Sequence, residues 1–409
     1  MAAVASITAY DLAVTAPAAR RIRRAPPRRI DGVPVYEQEF WTSKQRQANP
    51  LHEISYRGCF KPQLPAYFID RLSKPGDIVH DPFCGRGTTV VEAALMGRQV
   101  SANDINPLSK ILTLPRLEVP LIANIDVRLR AIKVSAKLSN DIDLSMFYHP
   151  DTERELLNLR AWLQQRREAG REDAEDRWIR MVATNRLTGH SPGFFSAYTL
   201  PPNQAVSPES QIRINEKTGK TPEYRDVRAL ILRKSMQLQS DINAAARWRL
   251  QQAARQARFM EGAAGATTGL AGNSVQLTVT SPPFLNVVQY AKDNWLRCWF
   301  NSLDAETIGN GITMATSVNE WSAVMLEVLE ELHRITRPRG WVAFEVGEVH
   351  RGSINLDEAV VPVARATGFS VEGILINTQK FTKTSNIWGI GNNAQGTNSN
   401  RIVMLQKPA

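Results

Sequence analysis

Residues 77–104 most narrow what this chain can fold into. Asp77-Ile78-Val79-His80 is a short apolar run after the turn Lys74-Pro75-Gly76. Asp81-Pro82-Phe83-Cys84-Gly85-Arg86-Gly87 follows as a glycine-rich turn, and residues 88–96 read as a helix closed by Gly97. Residues 98–103 read as the next strand, ending at Asp104. Strand, helix and strand in that order predict a β-α-β unit with its two strands parallel in one sheet.

Strand–helix alternation returns near the other end. Residues 258–261 and 275–280 read as strands, and 320–336 as an amphipathic helix. There Trp321, Val324, Met325, Val328, Leu329 and Leu332 recur at spacings of three and four. That helix is expected to stop at Arg337-Pro338-Arg339-Gly340, before strands at 341–346, 371–377 and 401–406, the last two an antiparallel pair with a long connection. Between the two regions, residues 108–254 are mostly polar and helical in pattern. Strands on both sides of that segment predict one α/β sheet with a helical insertion, although 409 residues allow two or three units. The expected division is a basic flexible tail at 1–35, a sheet domain from 36–107 and 255–409, and a helical insertion at 108–254.

The glycine-rich turn admits three readings. A phosphate-binding P-loop requires a Lys after the glycines, and none is present. A dinucleotide site requires GxGxxG, and only GxG occurs. An S-adenosylmethionine site needs no phosphate cradle; it needs glycines beside the amino-acid half of the ligand and an acid for the ribose hydroxyls, the place of Asp104. A second motif, Thr280-Ser281-Pro282-Pro283-Phe284, directly follows the strand at 275–280. Alone it is a proline turn ending a strand.

Together these residues carry a family resemblance. Asp81–Thr89 resembles the cofactor motif DPF-x-G-x-GTT of the DNA amino-methyltransferases. His52-Glu53-Ile54-Ser55-Tyr56-Arg57-Gly58-Cys59-Phe60-Lys61-Pro62 resembles the segment that closes over methionine in those enzymes, and Ser281–Phe284 resembles their catalytic motif (S/T/D/N)PP(Y/F/W). The resemblance implies a Rossmann-like S-adenosylmethionine-dependent methyltransferase sheet with a mostly helical insertion. It implies cofactor contacts from Phe60, Asp81, Phe83, Gly85, Gly87, Thr88, Thr89 and Asp104. It implies a catalytic group of Ser281, Pro282, Pro283 and Phe284, with no metal.

The chemistry fits those residue types. An exocyclic amine has its lone pair delocalised into the base. Acceptors at Ser281 and the Pro282 carbonyl take its two N–H bonds and favour a pyramidal nitrogen. Two prolines stiffen the loop, and Phe284 stacks on a base turned out of the duplex. Cytosine-C5 chemistry needs a Pro-Cys nucleophile, which Cys59, Cys84 and Cys298 do not supply. Within the family SPP(Y/F) is typical of N4-cytosine enzymes, so the expected activity is site-specific DNA cytosine-N4 methylation, with N6-adenine methylation as the alternative. RNA guanine-N2 methyltransferases carry similar turns, but the stretch ahead of this fold reads as too short for their RNA-binding domain. The remaining alternative is a non-catalytic DNA-binding protein on the same scaffold.

Two departures from the family pattern stand out. The motif order places the methionine-side segment and cofactor turn before SPPF, an alternative permutation of the sheet. At Glu261-Gly262-Ala263-Ala264 the usual Gly-Asp acid is replaced by Ala263, which leaves the adenine contact unassigned.

Charge favours an anionic partner, nucleic acid first, with a soluble basic enzyme as the alternative; the resemblance implies double-stranded DNA. The chain carries 50 Lys+Arg against 40 Asp+Glu, a net charge of +10. Residues 211–260 hold eleven Lys+Arg against four acids. Before them lies the aromatic, turn-rich stretch 194–204, and together these make 108–254 the candidate target-recognition region. A second candidate DNA-facing loop runs from Lys380-Phe381-Thr382-Lys383 to Asn400 and includes Trp388. The arginines at 20, 21, 23, 24, 28 and 29 read as part of a solvated tail, with a transit peptide or a basic arm on phosphates as alternatives. Three scattered cysteines suit a reducing compartment. No run of about 18 apolar residues occurs, so no membrane partner and a cytoplasmic location are expected. A restriction endonuclease partner is not deducible.

Overall fold

The computed structural model describes residue 11 and residues 28–42, 48–56, 58–134, 138–200, 205–285, 290–312, 315–349, 354–378 and 399–409. Eleven strands lie among these residues: β1 (Arg28–Ile30), β2 (Val33–Gln38), β3 (Ile78–Asp81), β4 (Gln99–Asp104), β5 (Arg258–Glu261), β6 (Val275–Thr280), β7 (Thr336–Val346), β8 (Glu348–Val349), β9 (Ile354–Asn355), β10 (Ser370–Thr378) and β11 (Ser399–Gln406).

The local unit at 77–104 seeds the sheet. β3 and β4 are parallel, with Ile78 opposite Gln99 and Asp81 opposite Ala102, and the helix Thr88–Leu95 makes the crossover. β5 joins β4 in parallel from beyond the helical segment, with Asp104 opposite Glu261. β6 lies on the other side of β3, and β7 beside β6, both parallel. β11 runs antiparallel to β7 and to β10. The full order is β1-β2-β10-β11-β7-β6-β3-β4-β5, and β8 and β9 make a separate ribbon. The chain builds outward from β3 to β5 and then returns to β6, so strand order reverses between β3 and β6. In open parallel sheets such a reversal leaves a crevice outside the carboxyl ends of the two strands. The sheet is Rossmann-like.

Alternation along the strands makes two cores. Val100, Ala102, Leu277, Val279, Trp341 and Ala343 face one side, under the helices Gln63–Leu72 and Thr88–Leu95. Val342, Phe344, Val346, Ile374 and Ile376 face the other, under Val318–Ile335 and Leu356–Ala366. Covering both faces is what a parallel sheet requires. Helices from Leu108–Thr113 to Ala244–Gln256 extend the first core, with Trp178 fully buried and its Nε1 donating to Ser235 Oγ at 2.9 Å. No helix among the described residues is long and apolar enough to cross a membrane.

Two expectations need correction. The tail expected at 1–35 does not extend over 28–35, because β1 and β2 form a hairpin turned at Asp31-Gly32, both at positive φ. β2 then adds in parallel to β10, with Val33 and Val35 buried. Asp-Gly between short strands is a hairpin signal that the surrounding arginines obscure. The expected stop at Arg337–Gly340 also lies inside β7, at a register shift against β6. The helix ends at Ile335, and Arg339 takes a φ of 62° while its N–H donates to the Lys407 carbonyl at 2.9 Å.

Candidate active site

Parallel pairing delivers Asp81, Asp104 and Thr280 to one edge of the sheet, at the ends of β3, β4 and β6. Asp81 is buried, and its Oδ1 accepts from Thr280 Oγ1 at 2.6 Å and from the Phe83 amide at 3.2 Å. The Thr280 bond joins the glycine-rich turn to the residue before Ser281. Thr89, also buried, donates to the Val279 carbonyl at 2.9 Å, a second tie between the same segments. Burial pushes the Asp81 carboxyl up to about 7, against the hydrogen bonds that favour its ionised form.

The turn is held by its backbone. Gly85 and Gly87 sit at φ of 51° and 76°, where a β-carbon is strained. A Cβ on Gly87 would also overlap Thr113 Oγ1 and Cγ2. The Gly85 N–H donates to Asp104 Oδ2 at 2.7 Å and the Asn106 N–H to Oδ1 at 2.9 Å. The Ile105 N–H bonds the same carboxylate, which keeps room for one more donor. Burial raises the Asp104 pKa to about 6 despite these bonds.

The upstream segment packs over this turn. Arg86 donates from Nη1 to the Ile54 carbonyl at 2.8 Å, from Nη2 to the Phe60 carbonyl at 3.3 Å and from Nε to Thr88 Oγ1 at 3.1 Å. Arg116, fully buried, donates to the carbonyls of Leu112, Leu51 and Arg86. The Tyr56 ring lies next to Gly85, and Asn106 Nδ2 donates to Tyr56 Oη at 3.4 Å. His52 Nε2 meets Glu92 Oε2 at 2.8 Å. Phe60 is half-buried against the first core and Phe83 against the second.

In the SPPF segment Ser281 is half-buried and hydrogen-bonded to Glu345. Glu345 is buried, accepts from Asn400 Nδ2 at 2.9 Å, and is pushed above the usual carboxyl range by burial. Pro282 is buried. The Pro283 carbonyl accepts from Trp321 Nε1 at 3.0 Å, and Phe284 is half-buried against the second core. After β5, the Gly262 N–H donates to the Asp104 carbonyl at 3.2 Å, and Asn103 Nδ2 donates to the Gly262 carbonyl at 2.9 Å. The loop carrying Ala263 is thus docked on the end of β4, with Ala263 exposed. Among the described residues no cluster of His, Cys, Asp and Glu suits a metal ion.

The sequence-expected residues therefore fall at one end of the sheet, but reading them alone misses Arg86, Arg116, Tyr56, Trp321 and Glu345. Glu345 left a signal, a single acid inside the apolar run Trp341–Val346. Arg86 left none, since its partners lie far upstream. The basic segment 211–260 divides: Arg213, Lys217, Lys220, Arg228, Arg233, Arg255 and Arg258 are exposed. Arg247 and Arg249 instead donate to the carbonyls of Val119 and Leu95, and Lys234 is buried 3.5 Å from Glu53. Phe194 and Phe195 are buried, with Arg186 stacked 4.0 Å over Phe194. Residues 201–204, the loop from Lys380 through Trp388, and arginines 20–24 lie outside the described residues.

The family model described as DNA methylase matches residues 23–113, which hold the upstream segment, the glycine-rich turn and Asp104. The resemblance to DNA amino-methyltransferases read from the motifs is thus found independently. Seventy-seven residues, 19% of this chain and 14% of the relative, are 38% identical to the Type II methyltransferase M.MjaII of Methanocaldococcus jannaschii. Over 108 residues, 22% of this chain and 31% of the relative, identity is 30% to the tRNA (guanine(10)-N2)-dimethyltransferase of the same organism. The chain thus spans less than a third of the length of either relative. Among solved structures, the rRNA methyltransferase aviRa of Streptomyces viridochromogenes is 14% identical over 90% of this chain and 94% of its own, at a TM-score of 0.36, too slight a likeness to argue from.

Proposed function

We propose that this protein transfers a methyl group from S-adenosylmethionine to the exocyclic N4 amine of cytosine in double-stranded DNA. The observation that carries the reading is the Thr280–Asp81 bond at 2.6 Å. Through it a cofactor-type turn and an SPPF segment meet where strand order reverses.

The residues fit the cofactor. Gly85 and Gly87 leave the turn without side chains at two points, and Asp104 keeps acceptor capacity for a ribose hydroxyl. Bound there, S-adenosylmethionine would supply an electrophilic sulfonium methyl. The chain's own part is orientation. Ser281 donates its hydroxyl proton to Glu345, which leaves its lone pairs for an amine N–H. The Pro282 carbonyl takes the second N–H. Trp321 fixes the Pro283 carbonyl and hence the loop, and Phe284 stacks on the flipped base. The division into a sheet domain at 36–107 and 255–409 and a recognition segment at 108–254 belongs to the same proposal.

The test is nucleoside mass spectrometry of unmethylated DNA incubated with the protein and labelled S-adenosylmethionine, beside Ser281→Ala and Phe284→Ala. N4-methylcytosine that disappears in both variants supports the reading. N6-methyladenine keeps the machinery and overturns the base. Label found in RNA and not DNA overturns the substrate.

A further inference from the structure

Two guanidinium groups are buried beside the glycine-rich turn, and neither has a carboxylate partner among the described residues. Arg86 is 6% exposed, and its three bonds go to two carbonyls and a hydroxyl. Arg116 is 0% exposed and bonds to carbonyls alone. Burial and the nearby Arg86 charge push Arg116 down to about 9. The half-buried Lys61 is likewise lowered, by burial and then by Arg86. Arg180, also buried, has an acid in Glu172 at 2.7 Å, whereas buried Arg98 is held by carbonyls and the Ser73 hydroxyl.

Burying two like charges with only neutral dipoles around them is costly. A guanidinium has five N–H donors, and Arg86 commits three. Its position between Gly85 and Gly87 places it in the turn itself, under the 54–60 segment. A duplex phosphate cannot reach a group so enclosed. A ligand held by that turn would lie beside Arg86, which stands between its two glycines.

We infer that Arg86 is the counter-charge for the carboxylate on the amino-acid half of bound S-adenosylmethionine, and that Arg116 is a positioning residue that holds the Arg86 backbone. The inference rests on the proposed cofactor. It adds a specific consequence: affinity depends on the ligand's carboxylate, and that dependence runs through Arg86. A charge-assisted bond in a buried site sets the scale at roughly 10- to 100-fold.

Calorimetric titration of the full chain with S-adenosylmethionine and with its decarboxylated analogue tests this. The native protein should bind the intact cofactor at least about tenfold tighter. Arg86→Met should bring the two ligands to within about threefold of each other, mainly by weakening the intact one, while Arg86→Lys keeps part of the difference. A native protein that binds both ligands equally overturns the inference and leaves the cofactor standing. So does a variant in which both affinities fall together, since that marks Arg86 as a clamp on the 54–60 segment only. No binding of either ligand to the native protein overturns the cofactor reading itself. If Arg86→Met does not fold, the native comparison and Arg86→Lys still decide.

Discussion

Ser281 is hydrogen-bonded to Glu345, a buried carboxylate on the neighbouring parallel strand. The register makes this contact: Thr280 pairs with Phe344, so the next residue of each chain segment stands at the same sheet edge. A serine that leads the SPPF segment is thereby coupled to an acid 64 positions later in the chain.

Glu345→Gln isolates the charge in that pair. The amide keeps the size and an acceptor for Asn400, but not the anion that takes the Ser281 proton. Methyl transfer in a single turnover should slow by about 10- to 100-fold with cofactor affinity little changed. Burial raises the Glu345 pKa, so the native rate should fall as acidification protonates it, and the glutamine variant should lose that limb of the profile. Equal rates for the two proteins would show that Ser281 needs no ionised partner.

Asp104 sets folding against binding. Its carboxyl is raised to about 6 by burial, so the folded state favours the protonated acid. Stability from this group is full below its unfolded pKa of about 4 and is lost as pH rises through 6. Binding a ribose hydroxyl instead gains from the ionised form. Cofactor affinity should therefore rise through pH 6 while the melting temperature of the ligand-free protein falls relative to Asp104→Asn. The variant should bind about tenfold or more weakly at pH 8 and show neither trend. Calorimetry and thermal melts across pH 4.5 to about 8 separate the two effects.

Gly87→Ala tests whether the turn tolerates a side chain. It pairs the cost of a left-handed β-carbon, about 1–2 kcal/mol, with overpacking against Thr113, about 1–3 kcal/mol. Denaturant unfolding should show a loss of about 2–5 kcal/mol. Adding Thr113→Ala removes the two nearest atoms, Oγ1 and Cγ2, and should recover part of the loss. No recovery would place the whole cost in the backbone.

What was legible in the sequence was what is local. The β-α-β unit, the turn between its elements and the helix at 318–335 each declare themselves within about thirty residues, through apolar periodicity and glycine placement. The hairpin at Asp31-Gly32 was also local, but its strands are short and set among arginines. Contacts between distant segments were not legible. Arg86 reads as any residue between two glycines until Ile54 and Phe60 are brought over it. In 211–260 composition counts eleven cations, but only packing separates those that hold carbonyls from those that face solvent.

That separation yields the last expectation, on the proposed DNA-recognition segment. Arg228 and Arg233 are exposed on the helix Val227–Leu238. Arg247 donates to the Val119 carbonyl. Replacing Arg228 and Arg233 together with glutamine should weaken DNA binding and reduce the slope of log affinity against log salt by about 1.8, near 0.9 for each phosphate no longer neutralised. The melting temperature should hardly move, because among the described residues neither side chain is hydrogen-bonded or ion-paired to another segment. Arg247→Gln should do the reverse, lowering stability by about 1–3 kcal/mol through the unmet carbonyl and leaving the salt slope intact. Fluorescence anisotropy over a salt series, beside thermal melts, reads both quantities. If the double variant keeps its full slope, phosphates are neutralised elsewhere on the chain and the exposed cations of this helix form a solvated face.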